Sequence, residues 1–84
     1  MTSWIDELAR TFGEEPLSNA ETGQLLRVAR DVAHRVERKE TPLAAFLLGM
    51  RVARATSETS SRGEALADAV AAIDAMLPAE PAGP

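Results

Sequence analysis

Residues 31–49, DVAHRVERKETPLAAFLLG, constrain the fold more than any other stretch, because a basic helix end, a helix stop and start, and a nearly all-apolar helix follow one another there. Thr41 as a cap and Pro42 at the first helical position predict a helix start, since proline has no N–H to lose at that point and its φ is already set. From Leu43 to Ala55 only Arg51 and Arg54 are charged. A helix apolar nearly all round must be buried or must meet another chain, so this third helix is expected to be the most buried of the fold. Ala45, Gly49 and Ala53 recur every four residues along it. A glycine inside a helix costs ~1 kcal/mol against alanine, and close approach of a neighbouring backbone would explain Gly49.

The remaining apolar spacing predicts three more helices. The first starts at a Thr2 or Ser3 cap, sets Ile5, Leu8 and Phe12 on one face with Trp4 beside them, and stops at Gly13, a natural left-handed C-terminal residue. The second opens at the Ser18 to Glu21 capping box, or one turn later at Thr22, and runs to about Arg38. Leu25, Ala29, Val32 and Val36 form its seam, widened by Leu26, Val28 and Ala33. The fourth follows a polar Ser/Thr loop, Thr56 to Ser61, opens at the capping box Ser61 with Glu64, and carries Leu66, Val70, Ile73 and Leu77 as its seam, with Ala69 and Met76 alongside. Pro78 ends it. The expected architecture is all-α: a compact antiparallel four-helix bundle forming a single helical domain over residues 1–77. Residues 78–84, PAEPAGP, form a tail expected to be disordered, since proline and glycine have no apolar partners there.

Eighty-four residues suffice for one core and leave no room for a second. Alanine is frequent, cysteine and tyrosine are absent, and Trp4, Phe12 and Phe46 are the only aromatic residues, so the core is expected to be aliphatic. Without cysteine there is no disulfide, thiolate nucleophile or zinc–thiolate site. The apolar run Leu43–Met50 is far shorter than the ~18 residues a membrane-spanning helix requires. The N-terminal residues lack the basic head and apolar core of a signal peptide, which makes the cytoplasm the expected location.

The net charge of −4 is unevenly placed. Residues 22–54 hold seven of the nine basic side chains, and the segments on either side are acidic. Complementary fields between acidic end helices and a basic middle hairpin account for this pattern, and an anionic or acidic partner surface is the sharper alternative. An acidic chain lacks the phosphate-neutralising excess that drives nucleic-acid binding, which excludes that class.

Arg27, Arg30, His34 and Arg38 fall within about 80° on the side of the second helix opposite its apolar seam, and form the candidate partner- or anion-binding face. His34, the only histidine, lies among arginines. No serine or aspartate pattern around it supplies a nucleophilic triad, and one imidazole with scattered carboxylates is too few ligands for a metal. Asp31 and Glu37 are read as helix ion-pair partners. No catalytic residue, metal or cofactor is expected.

The run Leu25-Leu26-x-x-Ala29-Arg30-Asp31-Val32-Ala33-His34-x-Val36-Glu37-Arg38, followed by Pro42-Leu43-x-x-Phe46-Leu47-Leu48-Gly49, resembles a small bacterial family of domains of unknown function that occur alone or fused to a nucleotidyltransferase of the molybdopterin-guanine dinucleotide type. The similarity covers residues 4–54. It implies a link to molybdenum-cofactor biosynthesis, with such a nucleotidyltransferase as the partner. The expected function is a non-enzymatic accessory module, in which helix 3 and the basic face of helix 2 contact a partner enzyme or a second copy of the chain. Its alternative is a small-anion module that binds phosphate or a pterin phosphate through the basic face.

Overall fold

The computed structural model describes residues 3–57 and 60–79. Four helices and no strand make up these residues: α1 (Trp4–Thr11), α2 (Asn19–Arg35), α3 (Glu40–Ala55) and α4 (Arg62–Met76). Local chemistry sets most of their ends. The Ser3 hydroxyl accepts from the Asp6 N–H at 3.3 Å and caps α1; Thr2, the other candidate cap, lies outside the described residues. Gly13, at φ 73°, takes the left-handed conformation just past the end of α1, where a side chain would be strained. Both capping boxes form. The Glu21 N–H donates to the Ser18 hydroxyl at 3.1 Å and the Ser18 N–H donates to the Glu21 carboxylate at 2.8 Å, and Ser61 and Glu64 repeat the exchange at the start of α4.

Two boundaries differ from those the sequence predicts. The second helix ends at Arg35, with Val36 as its cap at φ −114°, ψ −91°, so Glu37 and Arg38 lie beyond it. The third starts one residue before Thr41, at Glu40, through a turn in which Glu40 and Thr41 donate to the carbonyls of Glu37 and Arg38. No side chain caps it. Pro42 thus occupies the third helical position, which also has no intrahelical acceptor for an N–H, and proline is tolerated there for the same reason as at the first.

The core is aliphatic and small: Val28, Leu48, Val52, Ala65, Leu66, Ala69 and Val70, with Leu25 and Ile73 packed against it. It draws on α2, α3 and α4, which pack pairwise. Glu21 and Arg62 join the starts of α2 and α4, and Arg27 and Asp74 join them further along, so these two helices run in the same sense.

Helix 3 is not the most buried element; α4 is. Leu48 and Val52 are the only buried residues of α3, whereas α4 buries Ala65, Leu66, Ala69 and Val70. Small side chains at 65 and 69 let α2 and α3 close on α4, and among the described residues α3 has only α2 and α4 as neighbouring helices to cover its circumference. Its far side therefore faces outward. An added Cβ at Gly49 would meet nothing within 4 Å, so close packing within the chain does not explain that glycine.

No Cα of α1 comes within 8 Å of a Cα of another helix. Its connection to the body is the loop that follows it. The Arg62 guanidinium donates to the carbonyls of Glu15 at 2.7 Å and Pro16 at 3.0 Å. Pro78 and Ala79 follow α4 as exposed residues, and the remainder of the expected tail lies outside the described residues.

Candidate functional site

Of the four basic residues singled out, Arg27, Arg30 and His34 lie on α2 and Arg38 lies beyond its end. Arg27 is committed: its guanidinium donates to Asp74 at 3.0 and 3.2 Å and to Asp31 at 3.0 Å. These carboxylates raise its pKa further, Asp74 foremost through its hydrogen bonds. Arg30 and His34 are exposed one turn apart on α2, and among the described residues Arg30 has a long contact of 3.6 Å to Asp31. Arg38 lies beyond the helix, exposed in the turn before α3. Arg30 and His34 therefore share a face, while Arg27 reaches Asp74 on α4 and Arg38 lies in the turn past the end of α2.

A second cluster, which sequence reasoning missed, holds the fold. Arg62 meets Glu21 side-on, Nε to Oε2 and Nη2 to Oε1, both at 2.8 Å. With the Ser18 N–H on the same carboxylate, Glu21 accepts three charge-assisted or capping bonds while buried. The Arg62 hydrogen bonds are the main reason that its pKa falls to about 2, the Ser18 N–H adding to them against the desolvation that burial imposes. One signal was available in the sequence: Arg62 is the only basic residue after Arg54 and follows a capping residue directly.

The apolar surface is distributed against expectation. Trp4, Phe12 and Phe46, the three aromatic residues, are 71%, 71% and 69% exposed. On α1 and its C-terminal cap, the apolar residues Trp4, Ile5, Leu8 and Phe12 span an arc of about 100°, and none of them is buried. On α3, Leu43, Phe46, Leu47 and Met50 are all exposed. Between the C-terminal part of α2, the first three turns of α3 and the second half of α4 lies an open groove of about 430 Å³. Val32, Val36, Leu43, Leu47, Ile73 and Met76 line it, and Glu40 and Arg51 stand among them as its charged residues.

Among the described residues no helix is long and apolar enough to cross a membrane, and no three acidic or histidine side chains gather where they could hold a metal ion. What the arrangement offers chemically is contact area: exposed aromatic anchors at α1, an apolar helix face on α3, and exposed cations at Arg30 and Arg38. Neither a curated protein nor a solved structure matches the chain. Residues 1–83 match the domain of unknown function DUF6457, and the chain belongs to that family.

Proposed function

We propose that the chain is a non-enzymatic, cytoplasmic accessory module that docks on a partner protein through the aromatic face of α1, with Arg30 and Arg38 as charged contacts. One observation carries this reading: every aromatic side chain is exposed while the core is built from valine, leucine and alanine. Large aromatic side chains are the usual anchors of protein interfaces, and a fold that needed them for stability would have buried them. The resemblance in residues 25–49 supplies the partner to test, a nucleotidyltransferase of the molybdopterin-guanine dinucleotide type, and with it a place in molybdenum-cofactor biosynthesis. The small-anion alternative draws less support, because Arg27 is already held by two carboxylates.

Capture of such a nucleotidyltransferase on the immobilised chain tests the proposal. Trp4→Ala with Phe12→Ala, and separately Arg30→Glu with Arg38→Glu, are expected to weaken capture by tenfold or more, since removing interface anchors costs about 2 kcal/mol or more. Melting should not move, because these side chains contribute nothing to the core. Capture by both double variants at the wild-type level would refute the proposed surface, and absence of capture by the wild-type chain would remove the partner.

A further inference from the structure

We propose that a second copy of this chain covers the outward face of α3, the two helices packing antiparallel about a two-fold axis at Leu47. The inference is independent of the partner-enzyme reading, which rests on α1. Glu40, Leu43, Leu47, Met50 and Arg54 follow the spacing of alternating three and four residues and fall on one stripe of α3. Leu43, Leu47 and Met50 are exposed, at 58%, 64% and 47%, so nothing else among the described residues covers them. The stripe is acidic at one end and basic at the other, and Leu47 stands seven residues from each end. Neither Glu40 nor Arg54 forms an ion pair among the described residues.

That arrangement selects both the occupant and its direction. Laid antiparallel about Leu47, each Glu40 meets the other copy's Arg54, so two opposite-charge pairs bracket an apolar centre. A parallel pair would set Glu40 against Glu40 and Arg54 against Arg54, and like charges across an interface oppose it. A self-complementary stripe also closes on itself as a two-fold dimer, which uses up the apolar face without forming open chains of molecules. Leu43 and Leu47 are shared with the wall of the α3–α4 groove, so pairing covers the mouth of that groove too.

Sedimentation of the full chain over a range of loadings tests this, with three variants. The wild type is expected to sediment as a dimer at high loading and to dissociate on dilution. Leu47→Glu places two carboxylates at the axis and should weaken the dimer about a hundredfold or more, with its helicity retained because Leu47 is outside the core. Glu40→Arg and Arg54→Glu should each weaken it about tenfold, and an equimolar mixture of these two variants should recover wild-type association, since every cross-pair is again of opposite charge. A wild-type chain that stays monomeric at all loadings overturns the proposal. So does a dimer indifferent to Leu47→Glu, or a mixture that associates no better than its components.

Discussion

Glu21 does two jobs with one carboxylate: it completes the cap of α2 and receives the Arg62 fork that joins α2, α4 and the loop leading from α1. Its pKa lies near 2 in the folded chain against an ordinary value of 4.5. Because the folded value is the lower one, the charged form contributes stability above pH about 4.5, and that contribution is lost as pH falls from there through about 2. Breaking a largely buried pair leaves the remaining charge without compensation. Glu21→Gln is therefore expected to cost about 2 kcal/mol near pH 6, and the gap between wild type and variant should close between pH 4.5 and 2. Denaturant midpoints measured for both proteins across that window check it. A gap that stays constant with pH would assign the effect of Glu21 to packing and not to its charge.

At the scale of the element, α3 shows what local signals reach and where they stop. Gly49 sits in the middle of the helix with open space where its Cβ would be, so the helix carries the entropic cost of glycine without a packing return within the chain. Gly49→Ala should raise stability by about 0.5–1 kcal/mol, read as a rise in Tm of a few degrees; a fall would show that another backbone lies against this position. The capping boxes at Ser18 and Ser61 and the left-handed Gly13 were legible because each is settled within four residues. Pro42 was legible only as a first turn, since the first and third helical positions equally lack an acceptor for the missing N–H. The burial of α3 was not legible at all. Uniform apolarity from Leu43 to Ala55 states how much surface a helix offers, while the number of neighbours that come to cover it is decided elsewhere, by Ala65 and Ala69 on α4 and by an α1 whose backbone stays more than 8 Å from the other helices, Cα to Cα. The same limit applies to the candidate site. Asp31, four residues from Arg27, is visible as a partner in the sequence; Asp74, forty-seven residues away, is the partner that takes Arg27 off the basic face.

For the molecule as a whole, the small aliphatic core and the exposed aromatic and leucine side chains are two sides of one balance. An 84-residue chain has few large apolar residues to distribute, and those placed outside do not stabilise the single chain. A domain of this size has a narrow margin against unfolding, so any association that uses the outer residues feeds directly into its stability. If two chains pair through α3 only when folded, the dimer lowers the folded state by mass action. Each tenfold rise in total concentration above the dissociation constant should then add ~0.7 kcal/mol per chain. For a domain of this length that corresponds to a rise in Tm of about 3–5 °C. Leu47→Glu should abolish the concentration dependence and leave Tm at the dilute wild-type value, because the side chain it replaces lies outside the core. Calorimetric scans of both proteins across a hundredfold concentration range separate the outcomes: a wild-type Tm that does not move with concentration means that the outward face of α3 lends the folded state nothing from a second copy.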